Sequence, residues 1–143
     1  VADSPRKKLL AAINAQLRLI ATAAGYNTNL GAALLEEPRQ LIADEDAAGL
    51  VAYIAGQAAA TDPAVARTHR LTTVEILGRG SSNTEAMIDA ITGDVEQAMD
   101  APPVAWPHGF TRPVFVNSEP LRSPAGANWA GVVLRFTSHI PKR

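Results

Sequence analysis

The side chains that most often carry chemistry are sparse and scattered in this 143-residue chain. Cysteine is absent, which removes thiol catalysis, disulfides and thiolate-bound zinc or iron–sulfur sites. The three histidines, His69, His108 and His139, lack the close spacing on which two-histidine metal sites are built. His69 and His139 can still meet across neighbouring strands, but strand histidines are ordinary surface residues, and no metal site is predicted. The stretch GRGSSNTE (78–85) follows a strand-like run and opens a helix, the arrangement in which backbone N–H groups hold phosphate. It lacks the Gly-Lys-Ser/Thr end of a P-loop and the glycine spacing of a dinucleotide fingerprint. A turn at Gly80 and a helix cap at Ser82 account for it without a ligand. No Gly-x-Ser-x-Gly elbow is present. Paired carboxylates occur at Glu36/Glu37 and at Asp44, Glu45 and Asp46, in segments that read as loops, where solvated charge is the ordinary state. The chain is therefore expected to be no enzyme and to need no cofactor.

Charge is nearly balanced, at −1 overall, but unevenly distributed. Arg6, Lys7, Lys8 and Arg18 face only Asp3 within residues 1–20. Glu36, Glu37, Asp44, Glu45 and Asp46 face only Arg39 within 36–46. From His108 onward, Arg112, Arg122, Arg135, Lys142 and Arg143 face only Glu119. Such blocks cancel within one molecule or meet the next copy head to tail. Specific DNA reading is not expected, because the helix predicted after residue 82 carries five acids and no Lys or Arg. No apolar run reaches the 18 or so residues of a membrane span, and the basic N-terminus lacks the apolar stretch of a secretory signal.

Two helices and a sheet must position whatever surface does the work. Ser4 as N-cap, Pro5 at the first position and Gly25 beyond the end bracket a helix whose stripe is Leu9, Ile13, Leu17, Ile20, Ala21 and Ala24. Apolar runs at 30–37 and 49–56 and a Thr/Val/Ile-rich run at 67–80 read as strands; 38–48 and 56–66 read as loops. Ser82 with Glu85 forms a capping-box pattern for a second helix striped by Met87, Ile91, Val95 and Met99, which the three prolines of APPVAWP terminate. Residues 112–117 form a strand. In 128–140, Ala130, Val132, Leu134, Phe136 and Ile140 alternate with Trp129, Gly131, Val133, Arg135, Thr137 and His139. The 118–127 segment between them reads as a long loop. The order α-β-β-β-α-β-β predicts one α+β domain over 1–143, a mostly antiparallel sheet with two main helices on one face.

In this order the elements resemble the tail terminator proteins of long-tailed bacteriophages, a group with related minor tail and tail-completion proteins. There the first helix commonly closes on Gly-Tyr-x-Thr-x-x-Gly, matched by Gly25, Tyr26, Thr28 and Gly31 within GYNTNLGAALLEEP (25–38). LVAYIAG, RTHRLTTVEILGRG and GVVLRFTSHI continue the likeness over nearly the whole chain. The resemblance implies a virion structural protein: a homo-hexameric ring that caps the tail tube, stops its polymerisation and joins it to the neck or head. The implied partners are other copies, the tail tube protein and a neck or head-completion protein, with genomic DNA passing the lumen unread. A neck or head-completion role is the alternative, and a small ligand-binding domain using the 78–82 turn a remoter one. The charge blocks and the amphipathic last strand suit a closing interface between copies. Glu36, Glu37, Asp44, Glu45, Asp46, Arg122, Trp129 and Arg135 are the expected interface residues, with the 36–46 and 118–127 segments as contact loops.

Overall fold

The computed structural model describes residues 3–35, 48–104 and 106–143. Helix α1 (Pro5–Leu17) begins as its residues predict, with Ser4 accepting a hydrogen bond from the Lys7 N–H and Pro5 at the first position. It stops at Leu17, short of Gly25. The returning chain explains why: the Gly31 N–H donates to the Ile20 carbonyl at 3.1 Å. A Cβ on Gly31 would lie 2.6–2.9 Å from the carbonyl oxygens of Ile20, Leu17 and Arg18, so only glycine lets the backbone approach the helix end this closely. Gly25, at φ 92°, instead closes a 3-10 turn at Thr22–Ala24, and Ala24 is exposed.

A second 3-10 turn, Leu30–Ala33, takes the first half of the expected 30–37 strand, leaving Leu34–Leu35 as β1. Strand β2 (Gly49–Ala59) continues through the alanine-rich stretch that reads as loop. Cross-strand pairing of Gly56–Ala59 with residues 70–73 overrides its weak β-propensity. A one-turn helix, α2 (Pro63–Ala66), capped by Asp62, leads to β3 (His69–Gly80). Helix α3 (Glu85–Asp100) is capped by Thr84, whose hydroxyl accepts from Met87 N–H, and not by Ser82. The capping box is thereby displaced, and Glu85 turns to Arg122. Strand β4 (Val114–Arg122) runs on through half of the expected 118–127 loop; Pro120 is tolerated because β4 lies at an edge. Strand β5 (Ala130–Pro141) completes the sheet.

The sheet order is β1-β2-β3-β5-β4, with β1 parallel to β2 and every other pair antiparallel. This is the expected α+β layer. Leu9, Ile13 and Leu17 of α1 and Ile88, Ile91 and Val95 of α3 pack on Leu50, Ile76, Leu134 and Phe136 from the sheet. Side chains of this size, fully buried, stabilise by about 1.5–3 kcal/mol each before chain entropy is subtracted. Both alternating sets of β5 are found as predicted, with Ala130, Val132, Leu134, Phe136 and Ile140 in this core. Buried Gln16 locks α1 to the end of α3: its amide donates to the Ala98 carbonyl at 2.9 Å, and its oxygen accepts from Val104 N–H at 2.8 Å. Arg112 donates to the Met99 and Ala101 carbonyls at 2.8 and 3.1 Å, placing a cation at the negative end of α3.

Candidate assembly surfaces

The corner at 25–31 is held from beneath by Asp94, which is fully buried on α3. Its carboxylate accepts from the N–H groups of Asn27 and Thr28 at 2.9 and 2.8 Å and from the Thr28 hydroxyl at 2.7 Å. Asn29 tightens the same turn by accepting from the Thr22 N–H at 2.8 Å. Tyr26 packs against the core, and burial first, then the Asp94 charge, raise its phenol above the ordinary range. The Gly-Tyr-x-Thr-x-x-Gly pattern is thus a structural lock between α1, the returning chain and α3.

The sheet face away from the helices carries a polar row in register across four strands. Tyr53 stands opposite Glu75, Glu75 opposite Arg135, and Arg135 opposite Asn117. Arg135 donates to Glu75 at 2.6 Å, to Asn117 at 3.0 Å and to Glu119 at 3.2 Å. Burial, then a hydrogen bond to Glu75, push the Tyr53 phenol up to about 12. The neighbouring row is apolar, with Val51, Leu77 and Val133 buried and Leu35, Tyr53 and Leu121 around them. A row of paired charges beside an apolar row fixes strand register, because a one-residue slip would reverse every side chain.

The expected interface residues divide sharply. Glu36, Glu37, Asp44, Glu45 and Asp46 lie outside the described residues. Arg122 is engaged within the chain by Glu85, at 2.8 and 3.2 Å, and Arg135 belongs to the polar row. Trp129 lies beneath the Arg79 guanidinium, 4.7 Å from the ring centre. Arg112 is likewise engaged, so three cations of the C-terminal block bond within the molecule.

The most exposed large apolar surface among the described residues was not anticipated. Val114, Phe115 and Val116 of edge strand β4 are 65%, 45% and 50% exposed. Beside them a groove of about 160 Å³ is lined by Glu96, Asp100, Pro113, Phe115 and Phe136. The Val-Phe-Val run was legible as strand, but its place at the edge follows from the pairing order, which alternation alone does not encode.

Chemistry finds less support. A groove of about 540 Å³ near α2 includes Asp62, Thr68, His69 and His139. Asp62 caps α2, and the His69 ring bonds to the Thr68 hydroxyl and the Gly109 carbonyl. Among the described residues no group of three His, Cys, Asp or Glu side chains is placed to hold a metal ion. Gly78 and Gly80 belong to β3, paired with Val132 and Ala130, and Met87 occupies the space where a Gly80 Cβ would stand. Those glycines serve helix–sheet packing.

A scan against protein-family models finds no match, and neither does a search of curated protein sequences. Among solved structures, the fold matches a chain in the virion of a native gene transfer agent particle. The TM-score is 0.66 at 18% identity, covering 98% of this chain and 99% of that one. At that identity the likeness is one of fold, and it runs end to end.

Proposed function

We propose that the chain is a virion structural protein, the tail terminator of a phage-like particle. It assembles head to tail into a ring of six on the last layer of the tail tube, halts tube growth and offers its other side to the neck. It works through its surface and catalyses no reaction; DNA crosses the lumen without sequence-specific contact. The observation that carries the reading is the end-to-end fold match with a chain of a virion particle. The Gly25, Tyr26, Thr28 and Gly31 corner, locked on Asp94, supports the tail terminator in particular, since it is the motif of the resemblance and every part has a structural task. A heterologous interface that closes is what a ring requires, and the two sides of this molecule are unlike.

Electron microscopy of particles lacking this protein tests the proposal. Overlong tails, detached from heads, are the expected result. Finished tails of normal length that fail to join heads would instead assign the chain to the neck.

A further inference from the structure

The two edges of the sheet match in level, direction and charge. At one edge stands β4, apolar from Val114 to Val116. At the other, β1 covers only Leu50 and Val51 of β2, and the rest of that strand has no partner on its outer side among the described residues. Ala55, Gly56, Gln57, Ala58 and Ala59 are all exposed there.

Levels across the sheet agree. Following the pairings from β2 through β3 and β5 to β4, Gly56 is level with Val114 and Tyr53 with Asn117. Pro120, which cannot donate a ladder hydrogen bond, is level with Leu50, where β1 already occupies the opposite edge. The apolar, proline-free part of β4, Val114–Val116, therefore sits at the height of Ile54–Gly56, which have no outer partner among the described residues. The bulges in β2 and β4, at Ala55 and Val116, also fall at that height. Direction agrees as well: β2 and β5 run one way, β3 and β4 the other, so side-by-side copies in the same orientation present β4 antiparallel to the next β2.

Charge completes the match on the helix-covered face. Glu96 and Asp100 line the groove beside Phe115. Beside that part of β2 lies the first turn of α1, where the Arg6 guanidinium donates to Gln57 at 3.0 Å.

We propose that β4 of one copy adds, antiparallel, to the second half of β2 of the next, with Glu96 and Asp100 of the first facing Arg6 of the second. The contact leaves a free β4 and a free β2 at the two ends of any open chain of copies, so it propagates until a ring closes. It rests on the ring reading for its closure, while the pairing itself is tested separately.

Because the chain has no cysteine, disulfide trapping reports only introduced pairs. Val116→Cys and Ala55→Cys are placed together in the full-length chain, and Val114→Cys with Ala58→Cys in a second variant that allows for a two-residue shift. Strands that pair bring Cα atoms to about 4.5–5.5 Å, within disulfide reach. Mild oxidation traps transient encounters irreversibly, so even a weak contact accumulates. The expected result is a ladder of covalent multimers from at least one pair. Combining Glu96→Lys and Asp100→Lys with that pair should cut the yield about tenfold at low salt, and adding Arg6→Glu should restore part of it. If Val116→Cys alone cross-links as well as the pair, two β4 edges meet each other and the head-to-tail contact is overturned. If neither pair cross-links, the contact is overturned too. Native mass spectrometry of the unmodified chain then separates the cases: oligomers without cross-links leave the ring reading standing on another interface, whereas a chain that neither cross-links nor associates counts against both.

Discussion

Replacing Asp94 by alanine should be among the most damaging single changes outside the apolar core. The carboxylate is fully buried and accepts three hydrogen bonds, two of them from backbone N–H groups of Asn27 and Thr28. Alanine leaves those donors without a partner in a corner too tight to rearrange, because Gly31 is already against the carbonyls that end α1. Because these hydrogen bonds are part-buried and water can replace some of them, their loss costs about 1–2 kcal/mol, and the void under the buried carboxylate adds to it, giving a loss of about 2–3 kcal/mol. Asp94→Asn keeps one good acceptor and turns an amide toward the donors at the other, so about half that loss is expected. Urea unfolding followed by circular dichroism measures both as shifts of midpoint at constant slope. Coupling gives the sharper check. Once Asp94 is alanine, Thr28→Ala should cost at least about 1 kcal/mol less than it does in the unmodified chain. A midpoint for Asp94→Ala within about 1 kcal/mol of the parent, or full additivity with Thr28→Ala, would refute the lock.

Gly31→Ala should destabilise by about 3 kcal/mol or more, because the added carbon meets three backbone oxygens that no rotamer change can move; differential scanning calorimetry reads it as a fall of roughly 10 °C. Gly93→Ala, where nothing lies within 4 Å of the new carbon, should be neutral or stabilise by up to about 1 kcal/mol through helix propensity. Tyr53, pushed up to about 12, should stay un-ionised in absorbance titrations at a pH where the urea-unfolded chain is half titrated, and Glu75→Gln should bring it down. Its raised folded-state value means that its contribution to stability is complete below pH 10 and is lost as pH climbs to about 12, so stability should decline across that window, and less so in Tyr53→Phe. Arg135→Met should cost about 1–2 kcal/mol by leaving Glu75 without its cation, and Glu75→Gln should recover part of the loss in the double variant.

Where local chemistry decided the outcome, the elements were readable from their residues. Ser4 and Pro5 start α1, the Met87/Ile91/Val95/Met99 stripe marks α3, and the alternation of β5 separates its two faces. Where pairing decided, the residues misled. Ala58 and Ala59 have little preference for strands, and Pro120 argues against one, yet both stretches have a long neighbour to pair with and an edge that tolerates them. The charge blocks were visible, but not their partners: Arg122 finds Glu85 37 residues away, and Arg135 finds Glu75 60 residues away. Asp94 read as one more acid on an acidic helix, since nothing local distinguishes a buried carboxylate whose donors lie 66 and 67 residues earlier. The β4 edge was hidden for the same reason, because exposure at an edge is a property of strand order.

A density map of the assembled particle at side-chain resolution, with this chain fitted into it, tests the central claim most directly. The account predicts a ring of six copies between the last tube layer and the neck, with β4 of each against β2 of the next. A map that places the chain elsewhere in the particle, or as a solitary subunit with no neighbour of its own kind, would contradict it.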